Sequence, residues 1–158
     1  MRKAIGGAVG TIGLVIVTGF SAYALAAPKG PTKRAFTETI TGAQISMTGL
    51  SIEGAFKVTN SLDGTGAGIQ DGSITGTTFP LSGKSTTTDY FADGVQKLKE
   101  TFTLGAPNAS GISTLTGNGK CVGGTGVHKK QNCTYTFAGT FNSKTTVDTV
   151  KVTGTYTR

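Results

Sequence analysis

Residues 50–59, LSIEGAFKVT, alternate strictly: Leu50, Ile52, Gly54, Phe56 and Val58 fall on one side, and Ser51, Glu53, Ala55, Lys57 and Thr59 on the other. A period of two is the signature of a strand with one face buried. The same parity recurs in CTYTFAGTF, where Cys133, Tyr135, Phe137, Gly139 and Phe141 share a side. It returns in TVKVTGTYTR, where Val150, Val152, Gly154 and Tyr156 do so. The short polar connection NSKTT between these two runs predicts an antiparallel hairpin over 133–141 and 147–157. Weaker alternation predicts further strands over 35–41, 44–48, 68–78, 84–92, 95–104 and 111–117. They are separated by turn signals such as Ser61-Leu62-Asp63-Gly64, Ser82-Gly83, Asp93-Gly94 and Ala106-Pro107-Asn108. No helical period stands out.

About eight short strands at regular spacing predict an all-β domain, either a small closed antiparallel barrel or a β-sandwich. Interior glycines at Gly54, Gly139 and Gly154 favour the barrel, because a residue without a side chain permits the bending that a small closed sheet needs. The chain has no Trp, and its two cysteines are close in sequence, so the immunoglobulin pattern is missing.

The first 26 residues read differently. Arg2 and Lys3 precede a long apolar run that ends in Ala24-Leu25-Ala26, the layout of a secretory leader, here of bacterial appearance, cleaved after Ala26. The competing reading is a retained anchor, since the run is long enough to span a bilayer. The expected organisation is a leader over 1–26, a flexible linker over 27–34 and one barrel domain over 35–158, secreted or held in the cell envelope. The formal net charge of +7 falls to +5 when Arg2 and Lys3 leave. The remaining cations are scattered, which suits a solvated basic surface able to attract acidic envelope polymers. No basic stripe interleaved with aromatics points to nucleic acid. Two triplets of N-glycosylation type, at Asn108 and Asn132, carry no weight in so Thr-rich a chain.

Export also decides the cysteines. Cys121 and Cys133 enclose VGGTGVHKKQN and most economically form one disulfide. A metal site built from both thiols and His128 would be short of ligands and flanked by Lys129 and Lys130, so no metal and no cofactor are expected. Gly123-Gly124-Thr125-Gly126 offers consecutive backbone N–H groups to an anion, but a strand rather than a helix follows, and a turn with positive φ is the better account.

The stretch GNGKCVGGTG, residues 117–126, followed by a Thr-rich strand ending in Gly139-Thr140, resembles the glycine turn of the allene oxide cyclase and dirigent barrel superfamily. The resemblance covers about the last third of the chain. It implies an eight-stranded antiparallel barrel, often trimeric, whose lumen takes small apolar or phenolic molecules. Cys121 stands where those proteins usually have an aromatic residue, and no catalytic motif of theirs can be placed on this sequence.

Candidate chemistry is sparse. With one His and no nucleophile motif, a hydrolase triad is excluded as a reading. Glu38 shares parity with Phe36 and Ile40, and Glu100 with Leu98, Phe102 and Leu104. If those faces point inward, two acids enter an apolar lumen, where desolvation would raise their pKa toward neutrality and allow proton transfer. If the strands are edges, both acids sit in water beside Lys97 or Lys99. Phe102, Tyr90, Tyr135 and Tyr156 are the candidate ligand contacts. The sequence thus reads as a non-catalytic barrel binding a small apolar or amphipathic ligand or an envelope component. The alternatives are an isomerase or cyclase using Glu38 or Glu100, and an envelope protein that self-associates through strand edges.

Overall fold

A computed structural model describes residues 31–157, without the side chains of 43–47. The expected leader lies outside the described residues. The chain is an eight-stranded antiparallel barrel in simple meander order. Its strands are β1 (Lys33–Thr48), β2 (Ser51–Asn60), β3 (Gly64–Thr75), β4 (Leu81–Phe91), β5 (Gly94–Leu104), β6 (Ile112–Gly124), β7 (Asn132–Asn142) and β8 (Val147–Thr157). Each strand pairs with the next, and β1 closes the barrel on β8 from Lys33↔Thr157 to Ala43↔Val147. A single 3₁₀ turn, Gly126–His128, lies between β6 and β7. This settles barrel against sandwich.

The expected hairpin over 133–141 and 147–157 is β7–β8, one residue longer at each end of its first strand. Two expected strands, 35–41 and 44–48, are one: β1 runs straight through, with a register shift between Gln44 and Ser46 against β2. A bulge of this kind takes up one extra residue and bends a strand without ending it, so the break in alternation at Ala43-Gln44 marked curvature and not a turn. β1 also begins at Lys33, inside the stretch expected as linker.

Alternation along every strand sends one set of side chains into the lumen and the other into solvent. The inward set is uneven in size, and the register shows how it fits. Phe102 lies opposite Gly83 on one side and Gly117 on the other. Tyr135 lies between Gly119 and Gly154, and Phe56 between Gly42 and Gly68. Each ring lies over a neighbouring glycine: a Cβ on Gly83 would come within 2.1 Å of the Phe102 ring, and one on Gly119 within 2.3 Å of Tyr135. Large and small residues in cross-strand pairs let a narrow barrel close around aromatic side chains.

The best-buried cluster is Phe36, Leu98, Cys133, Tyr135, Val150, Val152 and Tyr156. Phe36 stacks on Tyr156 at 4.1 Å between ring centres. At this end of the barrel, Cys121 and Cys133 form the expected disulfide, with Cα atoms 5.0 Å apart. Closing so short a loop contributes about 3 kcal/mol by restricting the unfolded chain. The bridge fits an oxidising compartment, and no helix among the described residues is long and apolar enough to cross a membrane.

The pairing of rings with glycines is open to test. Gly83→Ala should destabilise the barrel by about 1–3 kcal/mol through overpacking. A large share of that loss should return in the Gly83→Ala/Phe102→Leu double variant, read as a coupling energy from urea unfolding. Additive losses would show that the ring does not constrain the glycine.

Candidate functional site

The lumen is layered. At the end where β1 starts and β8 finishes it is filled. Tyr156, Phe36, Val58 and Phe91 are buried there, together with the polar Glu38, Asn60, Asp89 and Gln96. Asn60 Nδ2 donates to Glu38 Oε2 at 2.8 Å and to the Tyr156 hydroxyl oxygen at 2.6 Å. Burial pushes the Glu38 carboxyl up to about 7; the Asn60 donor opposes this, and the charge of Glu100 adds to it. Asp89 is wholly buried, and neither of its oxygens has a hydrogen-bond partner among the described residues. Desolvation first, then the charges of Glu38 and Glu100, hold its carboxyl well above the usual carboxylate range. An isolated carboxylate in such a place would cost several kcal/mol, which disfavours ionisation of Asp89.

Glu100 occupies the middle layer and collects hydrogen bonds from three other strands. Its Oε2 accepts from Gln70 Nε2 at 3.0 Å, Ser85 Oγ at 2.9 Å and Thr87 Oγ1 at 2.8 Å, while its Oε1 accepts from the Tyr135 hydroxyl at 2.8 Å. The Tyr135 hydroxyl is held protonated by burial and by the neighbouring Glu100 charge, so it serves as a donor.

Beyond Glu100 the lumen opens toward the opposite end as a cavity of about 110 Å³. Its walls are Ile40, Ile52, Phe56, Ile74, Phe102, Leu104, Leu115, Phe137, Phe141 and Val150, with Gln70, Thr87 and Glu100 at the inner end. Asp148, at the start of β8, adds a second carboxyl to the lining; burial raises its pKa, against backbone hydrogen bonds at its own position and at Gly42 that lower it.

Comparison with protein families, curated proteins and solved structures finds no match to this chain. The lumen must therefore be read from its own chemistry.

The sequence-derived candidates are distributed unevenly. Glu38 and Glu100 both point inward, as their parity required, and neither lies in water beside Lys97 or Lys99. They belong to different layers, and only Glu100 lines the cavity. Phe102 is a cavity wall. Tyr135 and Tyr156 are buried with their hydroxyls engaged inside the barrel. Tyr90 is displaced from the expected set: it is 47% exposed and stands on the outer face, because the inward parity of β4 is that of Gly83, Ser85, Thr87, Asp89 and Phe91. Sequence reasoning missed Asp89 and Asp148. The parity of β4 around Phe91 would have placed Asp89, and the alternation Asp148, Val150, Val152 extends the inward set of β8 by one step.

His128 belongs to the 3₁₀ turn after β6. It is fully buried against Phe91, with Nδ1 facing Gln131 Oε1 and Nε2 facing Asp93 Oδ1 at 3.5 Å. The glycines around it serve close packing. A Cβ on Gly126, whose φ is 56°, would lie 2.1 Å from the Asp93 carbonyl oxygen. The GGTG segment is thus seated on the β4–β5 turn and is not an open anion cradle, and Thr125 N–H bonds to the Val95 carbonyl at 2.8 Å.

The buried acids fix a pH dependence. A carboxyl whose folded pKa lies above its unfolded value of 4.5 favours folding fully below pH 4.5 and loses that contribution as pH rises toward 7. For Glu38 the loss amounts to about 3 kcal/mol. Glu38→Gln retains an acceptor for Asn60, so the difference between wild-type and variant unfolding free energies should change by that amount between pH 4.5 and 8, the variant gaining. A constant difference would show that Glu38 ionises freely.

Proposed function

We propose that this chain is a non-catalytic extracytoplasmic binding protein that takes one small apolar or amphipathic molecule into its lumen. The supporting observation is the cavity of about 110 Å³, apolar along its walls and carrying carboxyls only at Glu100 and Asp148. Lumens of eight-stranded barrels are wide enough to hold one small ligand, and an apolar cavity of about 150 Å³ accepts benzene. This cavity is smaller, so the body it takes is a short aliphatic chain or a single ring whose outer edge lies in the open mouth, with a hydrogen-bond donor or amine turned toward Glu100. The carboxylate of Glu100 is already held by four donors, an arrangement suited to anchoring a head group and less to accepting and returning a proton.

Two other readings weigh differently. Self-association through strand edges loses its basis in a sheet that closes on itself. Contact with an acidic envelope polymer is supported by the outer face: Lys99 stands directly opposite Lys120, and Lys84 lines the same shallow groove across β3–β7. Like charges facing across a strand pair are destabilising unless an anion lies between them.

Native mass spectrometry of protein taken from its host should show one co-purifying small molecule per chain. Benzylamine titrated into the stripped protein should perturb the amide signals of β5 and β8. Leu115→Trp, which fills the cavity, should weaken that binding by at least about tenfold, the equivalent of the ~1.4 kcal/mol lost with one poorly seated group. An empty barrel in every preparation, or binding untouched by Leu115→Trp, would exclude the lumen as the site.

The isomerase or cyclase that the family resemblance implies makes a different forecast for Glu100→Gln. Under the binding reading this substitution lowers affinity for an amine while a neutral aromatic binds as before. Under the catalytic reading it abolishes turnover of the bound molecule, which mass analysis of recovered ligand would reveal.

A further inference from the structure

At the filled end of the barrel, three connections bring together groups that the lumen does not use. Asp63 comes from the β2–β3 turn, Asp93 from the β4–β5 turn, and His128 from the 3₁₀ turn after β6. One ligand-type atom from each lies within 4.8 Å of the other two. His128 is the informative member. Its side chain is wholly inaccessible, yet Nε2 makes no hydrogen bond among the described residues and faces Asp93, 3.5 Å from its Oδ1. The ring is fixed from its other side, where Nδ1 bonds Gln131 Oε1. An acceptor held on one ring nitrogen is the usual way a protein presents the other as a metal ligand in a set tautomer and orientation. The Phe91 ring and the backbone of Gly94 pack against the imidazole, and Gly124 lies beside the His128 Cβ.

We propose that Asp63, Asp93 and His128 bind a divalent transition-metal ion of the zinc type. One imidazole nitrogen with two carboxylates disfavours calcium and magnesium, which select all-oxygen sites. Three protein ligands leave at least one position for water, and Asp93, whose side chain is 44% exposed, gives the ion a path in. The two cysteines are excluded as competing ligands because they are joined to each other. Lys129 and Lys130, adjacent in sequence, are exposed and turned to solvent rather than into the cluster. The ion would tie three connections of the filled end together, next to the disulfide. This site is independent of the lumen and of any ligand there.

The test uses the oxidised full chain, freed of metal with a chelator. Zinc titrated in competition with a chromophoric chelator should bind at one equivalent, and cobalt should give visible absorption bands of a low-symmetry site. Zinc at a hundred times its dissociation constant should shift the unfolding equilibrium by about a hundredfold. Asp93→Asn lies at an exposed turn and should keep the barrel intact by circular dichroism. It should weaken zinc binding by at least the about tenfold that second-shell changes cost, as should Asp63→Asn, while Glu53→Gln on the outer face should leave it unchanged. His128→Gln should abolish the cobalt bands, and the aspartate variants decide the matter if that protein fails to fold. Failure of wild type to bind zinc, or equal binding by Asp93→Asn, would overturn the proposal and leave only an internal His–Asp ion pair.

Discussion

A closed sheet of eight strands has a nearly fixed bore, and everything inside this barrel follows from how the chain lives with that limit. An inward ring needs space on the neighbouring strand. Here the pairing of Phe102 with Gly83 and Gly117, and of Tyr135 with Gly119 and Gly154, gives each ring a recess in the adjacent strand. Register and size pattern are therefore one constraint: slipping any pair by a single residue would turn its rings outward and its threonines inward. The abundance of glycine, which at first suggests a loose chain, is the means by which a narrow sheet closes around aromatics.

The same limit shapes the polar interior. Glu100 is buried by its neighbours and receives donors from β3, β4 and β7, so that one carboxylate links four of the eight strands. Asp89 and Glu38 lie deeper, where too few donors reach them, and burial raises both carboxyls above the usual carboxylate range, Glu38 to about 7. Fully satisfied and poorly satisfied acids thus lie within one lumen. The first organises the floor of the cavity, while the second stores a sensitivity to alkali without contacting the cavity at all.

Much of this was legible along the chain. Strict alternation in 50–59, 133–141 and 147–157 marked strands whose inner faces are those observed, except that Leu50 stands exposed in the turn before β2, and the weaker alternation of 35–41 and 95–104 gave Glu38 and Glu100 the parity that faces inward. The disulfide followed from export and spacing. What escaped were features that depend on three-dimensional coincidence. The β1 bulge reads as a gap in the pattern when only one strand is considered. Tyr90 looks like a core aromatic until the parity of β4 is fixed by Phe91 and Asp89. His128, between a glycine cluster and two lysines, shows nothing in sequence of the turns carrying Asp63 and Asp93 that fold over beside it. Local alternation reports which way a side chain faces; it carries no information about which distant loop meets it there.

The Lys33↔Thr157 pair has a practical corollary. Both ends of the described chain emerge at the filled pole, beside the disulfide, whereas the apolar mouth opens at the other. A reporter fused ahead of Lys33, or a surface linkage made through the C-terminus, would leave that mouth facing free solution.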